Sequence, residues 1–126
     1  MKVKIYYHHT DCGGVVYYAN YLDFLEEART ELLAQKGVST VSLAKEGILF
    51  VVSRQEIDYK YPAFYGDTVI INTEIANISR VRVEFLYKIE NQDGRILGEA
   101  KTVLACVGDG LKVRVIPDEI RERMAK

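Results

Sequence analysis

Hydrophobic and polar residues change period twice along the chain. Lys2, Val3, Lys4 and Ile5 alternate, which predicts a strand over Lys2 to Tyr7. A turn cluster follows at Thr10-Asp-Cys-Gly-Gly14. From Asn20 the period becomes helical: Tyr21, Phe24, Leu25, Ala28 and Leu32 recur at three- and four-residue spacing and form one apolar face. Asn20 is the candidate N-cap, with Asp23 three residues on, and Gly37 is the stop, a helix of roughly four to five turns. A short second helix is predicted from Thr40 to Glu46, closed by Gly47. Beyond it, Gln55, Ile57, Tyr59 and Tyr61 alternate with Glu56, Asp58 and Lys60 until Pro62 ends the ladder. Gly66-Asp67 turns into a strand over Thr68 to Ile78, and Val81, Val83, Phe85, Tyr87 and Ile89 mark the next. Asn91-Gln-Asp-Gly94 is a hairpin signal. Ile96 to Val107 and Leu111 to Val115 read as two more strands or one bent strand, and Pro117 opens a short helix or tail.

The order of strand, long helix and then antiparallel strands predicts an α+β fold. A sheet with one wet and one apolar face needs a cover, and the long helix is the element available to provide it. The expected architecture is a long central helix wrapped by a curved antiparallel sheet, one domain over residues 1–126. No repeat or linker interrupts it. With 126 residues the chain is long enough to bury a core without disulfides or a structural metal.

Composition narrows the function. The chain carries 17 basic and 18 acidic side chains, a net charge of −1, and so lacks the basic excess of a protein that grips nucleic acid by its phosphates. No nucleic-acid partner is expected. Its first residues contain no long apolar run or small-residue cleavage site, so neither membrane insertion nor export is expected and the cytoplasm is the expected compartment. Cys12 and Cys106 are read as free thiols. Of nine tyrosines, five (Tyr6, Tyr7, Tyr17, Tyr18 and Tyr21) fall in the first 21 residues, a clustering that suggests a pocket or an interface.

The same stretch holds the candidate chemistry. Asp11 lies in the glycine-rich turn, seven residues before Tyr18, and Tyr18 lies just ahead of the helix start. Backbone N–H groups at a helix start are unpaired and sit at the positive end of the dipole, where they can hold an oxyanion. A carboxylate facing that point can activate water or attack a carbonyl carbon itself, without a metal or cofactor. Asp-x-Gly-Gly is also a common turn, and turn chemistry alone accounts for it.

The run Tyr7-His-His-Thr-Asp11-Cys-Gly-Gly-Val-Val-Tyr-Tyr-Ala-Asn-Tyr-Leu22, with Phe24, Glu26, Ala28 and Arg29, closely resembles the signature of the 4-hydroxybenzoyl-CoA thioesterase family, in particular its YbgC-like branch. Tyr59-Lys-Tyr-Pro-Ala-Phe-Tyr-Gly-Asp67 resembles that family's second recurring stretch. The resemblance implies the hotdog fold, a homodimer or homotetramer, and hydrolysis of a short-chain or aromatic acyl-CoA, with an acyl carrier protein as the alternative acyl donor. It implies that Asp11 is the nucleophile or general base and that the Tyr18 backbone N–H meets the thioester oxygen. Relatives often carry Glu-Asp or similar at His8-His9 and histidine at Tyr18, so no histidine side-chain role transfers to position 18. Gly14, Val16 and Tyr17 around the turn are the candidate substrate contacts, with Arg80 and Arg82 as donors to coenzyme A phosphates.

Rival readings use the same residues. His8, His9, Asp11 and Cys12 are all metal-binding types, yet neighbours in a strand point to opposite faces, so His8 and His9 are expected apart, one packed near the pocket mouth and one solvated. Cys12 is expected to be a small buried thiol and Cys106 a core residue beside Ala100, Thr102 and Leu104. Glu26 and Glu27 are read as a solvated face or as partners of Arg29. A hotdog module that binds an acyl carrier or protein partner without turnover is the alternative function. A hydratase on the same fold finds no paired Asp and His.

Overall fold

The computed structural model describes residues 1–126. The elements run β1 (Lys2–Lys4), α1 (Asn20–Gln35), α2 (Thr40–Lys45), β2 (Leu49–Tyr59), β3 (Thr68–Ile78), β4 (Arg82–Glu90), β5 (Ile96–Val107) and α3 (Asp118–Ala125). The five strands form one antiparallel sheet in the order β1-β3-β4-β5-β2. The two strands that flank the helices in sequence are therefore the two edges of the sheet.

Alternation along the strands makes one face apolar. On β4, Val83, Phe85, Tyr87 and Ile89 are buried while Arg82 and Lys88 are exposed, and the register sets Phe85 beside Ile75 and Thr102, and Tyr87 beside Thr73 and Ala100. Tyr21, Phe24, Leu25, Ala28 and Leu33 of α1 join the same core cluster, so the long helix covers this face as expected. Burial of a side chain such as Leu25 or Phe85, both fully inaccessible, contributes about 1.5–3 kcal/mol. Two hydroxyls inside the sheet are paired in a chain, Tyr87 donating to Thr102 Oγ1 at 3.0 Å and Thr102 to Gln55 Oε1 at 2.6 Å, whereas Thr73 Oγ1 is buried without a partner.

Both early helices end in the same motif. Val38 N–H reaches Leu33 O and Gly37 N–H reaches Ala34 O, while Ile48 N–H reaches Leu43 O and Gly47 N–H reaches Ala44 O. In each case the apolar residue after the glycine is buried in the same core as its partner, which fixes the exit of the chain from the helix.

Several expected boundaries move. The first strand stops at Lys4, because Tyr6 N–H donates to His9 Nδ1 at 2.9 Å and folds Tyr7–His9 into a 3₁₀ turn. Leu32 is only half-buried and Leu33 takes the deeper place, because β3 has no β1 neighbour beyond Ile71 and a groove of about 500 Å³ opens there beside Leu32 and Met124. Leu111 to Val115 form no strand. After Val107 the chain turns at Asp109–Leu111 and returns with a single bridge, Val107 to Val113, leaving Val113 and Val115 exposed. The C-terminal segment is a helix, α3, anchored by buried Ile120 and Met124 one turn apart.

Candidate active site

The turn that carries Asp11 is a closed loop strapped to the start of α1. A bridge joins Thr10 to Val16, and Asp11 N–H donates to Val15 O at 2.9 Å. His9 O accepts both Tyr17 N–H at 2.9 Å and Asn20 Nδ2 at 2.8 Å, so the two arms of the loop and the first residue of the helix meet at one carbonyl. Asn20 is therefore not the N-cap. Ala19, already at helical angles of φ −70 and ψ −21, precedes α1, and the Asn20 side chain serves the loop instead.

Within the loop Asp11 is exposed and makes no ion pair; its Oδ1 accepts Gly13 N–H at 2.8 Å and its carbonyl accepts Gly14 N–H at 3.0 Å. Gly14 supplies the left-handed conformation that closes the turn, with φ of 80°. One carboxylate oxygen is thus anchored, and the other is free to meet water or substrate.

At the other arm, Asn20, Tyr21 and Leu22 donate their N–H groups back to the Tyr17, Tyr18 and Ala19 carbonyls, respectively, in an overlapping tight turn. The N–H groups of Tyr18 and Ala19 have no acceptor in the protein. These two adjacent donors stand at the positive end of a 16-residue helix, an arrangement that favours negative charge. Tyr17 and Tyr18 are 45% and 61% exposed, whereas Tyr21 is buried as expected.

Other expected residues divide. Gly14 and Tyr17 lie on the loop surface, and Val16 is buried in the core, its N–H bonded to Ala63 O. Arg80 and Arg82 are exposed at the β3–β4 turn. Arg82 is level with Ala105 and Tyr59 with Gly98, seven residues along β5, so the arginines stand about 23 Å from the Tyr59 end at 3.3 Å per residue. Cys12 is exposed, not buried, because the turn projects it outward, while Cys106 is in the core. Glu26 accepts the Thr30 hydroxyl at 3.2 Å and forms no ion pair with Arg29.

His8 and His9 are not on opposite faces. The 3₁₀ turn brings their ring centroids to 4.0 Å, yet His9 Nδ1 is occupied by Tyr6 N–H and its ring packs edge-on against Phe24 at 5.5 Å, while His8 is exposed. No group of three or more His, Cys, Asp or Glu side chains is placed to hold a metal ion. Burial, then the neighbouring His8, hold His9 below its ordinary pKa of 6.5, against the opposing pull of Glu27. The unfolded chain therefore takes up this proton at higher pH than the folded one, and stability falls as pH drops below about 6.5. Thermal unfolding midpoints across this range are expected to fall more steeply for the wild type than for His9→Gln.

Sequence reasoning missed Tyr59 as part of this site. Its hydroxyl donates to Tyr18 O at 3.0 Å, a contact between residues 41 apart. The alternation in β2 placed Tyr59 on the apolar face, but nothing local tells which part of α1 that face meets.

A family model described as the thioesterase-like superfamily matches residues 6–124. The chain belongs to the thioesterase-like superfamily. An acyl-CoA thioester hydrolase YbgC from Escherichia coli O6:H1 is 39% identical over 120 residues, covering 94% of this chain and 89% of that protein. The acyl-CoA thioesterase YbgC of Haemophilus influenzae is 36% identical over 121 residues, covering 94% and 88%. Among solved structures, a DHNA-CoA thioesterase from Staphylococcus aureus superposes with a TM-score of 0.94 at 28% identity, covering 99% of this chain and 87% of that one. The architecture is the hotdog fold, and the member described here is a thioester hydrolase.

Proposed function

We propose that this superfamily member, one hotdog domain over residues 1–126, hydrolyses a short-chain or aromatic acyl-CoA to the free acid and coenzyme A in the cytoplasm. The observation that carries the reading is the pairing, on one strapped loop, of an exposed, unpaired carboxylate at Asp11 with the unbonded N–H groups of Tyr18 and Ala19. The thioester oxygen sits against those donors. Asp11 either adds to the carbonyl carbon, to be released by water, or takes a proton from the water that adds. The C–S bond then breaks and the thiolate leaves with a proton from solvent.

Acyl preference rests on the surface beside the helix. Leu22, Glu26 and Arg29 form a stripe along α1 that continues the line from Tyr18, and Leu22 is exposed next to the proposed oxyanion site. The stripe leads into a groove of about 170 Å³ between α1 and β2, lined by Glu26, Thr30, Phe50 and Leu104. Six residues separate Asn20 from Glu26, about 9 Å of helix, which suits a short or aromatic acyl group better than a long fatty chain.

The 11-residue strand β2 supports a dimer. It has β5 on one side and no strand on the other, and Val51 and Val52 are 37% and 51% exposed. Pairing with a second copy about a two-fold axis covers this edge. Antiparallel pairing also reverses the ends, so Arg80 and Arg82 of the partner subunit approach this subunit's Tyr59 end, within reach of coenzyme A phosphates. Size-exclusion chromatography is expected to give a dimer. Val52→Lys is expected to give a monomer whose thiol release is lower by about tenfold, the loss of a partly exposed charge-assisted contact.

Thiol release from acyl-CoA, compared with the same acyl group on a carrier-protein phosphopantetheine, tests the substrate assignment: faster turnover of the CoA ester is expected. Single-turnover hydrolysis in ¹⁸O-water tests direct attack: label entering Asp11 while the first product acid stays unlabelled marks an acyl–Asp11 anhydride opened by water at the Asp11 carbon.

A further inference from the structure

Tyr59 is the last residue of β2 and its phenol crosses to the start of α1. The hydroxyl donates to Tyr18 O at 3.0 Å, and the ring packs edge-on against Tyr18 at 6.1 Å and Tyr21 at 5.6 Å. Tyr21 is itself buried in the core, so the phenol is held from one side by a fixed ring. The only backbone donor to Tyr18 O is Tyr21 N–H, at a long 3.3 Å. Tyr59 thus makes the shorter of the two bonds that orient this carbonyl. The Tyr18 carbonyl and the Ala19 N–H belong to one rigid peptide plane, so a bond that fixes the carbonyl also fixes the direction of the Ala19 N–H.

We propose that Tyr59 is a positioning residue of the oxyanion site: its hydroxyl locks the Tyr18–Ala19 peptide so that the free N–H of Ala19 stays aimed at the thioester oxygen, beside the free N–H of Tyr18. The inference rests on the proposed use of those N–H groups in catalysis. Preorganised donors act because they need no reorientation as charge develops, and a small misalignment of a reacting group is costly. Burial, then the neighbouring Tyr18, raise the Tyr59 phenol above its ordinary value of 10.0, so it remains a donor across the neutral range.

Tyr59→Phe removes the hydroxyl and keeps the ring. Steady-state thiol release from an acyl-CoA, per folded enzyme, is expected to show kcat lower by about tenfold, KM within about twofold and an almost unchanged thermal midpoint. A merely structural tyrosine would leave kcat per folded enzyme at the wild-type value, and that result overturns the proposal. An equal rise in KM with unchanged kcat also overturns it, since it would mark Tyr59 as a substrate contact. Asp11→Asn measured alongside separates the two levels. If Asp11→Asn is inactive while Tyr59→Phe retains wild-type kcat, only the Tyr59 assignment fails. If Asp11→Asn keeps wild-type turnover, the catalytic reading fails and takes this inference with it.

Discussion

Asp11→Asn is expected to lower kcat by about a thousandfold, the scale of a lost general base or nucleophile. The fold should not register the change. Asn retains an oxygen at the position that accepts Gly13 N–H, and the Thr10–Val16 bridge and Asp11 N–H bond to Val15 O are main-chain contacts that no side chain alters. Because Asp11 makes no ion pair, its charge is not needed to neutralise a neighbour. KM is expected to change by no more than about threefold, since the carboxylate acts on the carbonyl carbon in the transition state and does not hold the coenzyme. Unchanged kcat in the folded variant would remove Asp11 from the mechanism.

The largest effect on stability is expected at Gly98. A Cβ there would lie 2.6 Å from the Asp58 carbonyl oxygen, inside the β2–β5 ladder, and 3.9 Å from Ile89 Cδ1. The obstacle is backbone, so no side chain can swing aside. Gly98 pairs with Tyr59 and Glu99 with Asp58, and the clash can be relieved only by separating β2 from β5 at that end. Gly98→Ala is expected to cost about 3 kcal/mol, read as a fall of roughly 10 °C in the thermal midpoint. Opening the ladder there also displaces Tyr59 from Tyr18, so activity per folded molecule should fall with it. A thermal midpoint within 2 °C of the wild type, roughly the scatter of a surface change, would contradict this packing account.

What the sequence revealed, and what it hid, follows from how far each interaction reaches along the chain. The boundaries of β3 were legible at Thr68 and Ile78, and so was the main buried face of α1, because strand and helix periods are carried by adjacent residues. The hairpin at Asn91 was also legible: Asn91 Oδ1 accepts the N–H groups of Asp93 and Arg95, a closure made within five residues. Errors arose where one side chain redirected the backbone. His9 captured Tyr6 N–H and ended the strand; Asn20 bonded His9 O and gave up the N-cap role. The burial of Val16 was equally hidden, because its N–H pairs with the carbonyl of Ala63, 47 residues on. The site was half visible. Asp11 and Tyr18 share a loop of a few residues, whereas Tyr59 reaches Tyr18 from 41 residues further along the chain.

Hydrolysis of a CoA thioester by the Asp11 loop and the free N–H groups at the start of α1 is tested by substrate turnover. The most direct measurement is thiol release by the wild-type protein on a panel of short-chain, aromatic and long-chain acyl-CoA esters. Turnover of at least one short-chain or aromatic member, with long chains slower, is the predicted result. Binding of acyl-CoA without release of thiol from any member would contradict it, and would make the chain a hotdog module that holds its ligand without acting on it.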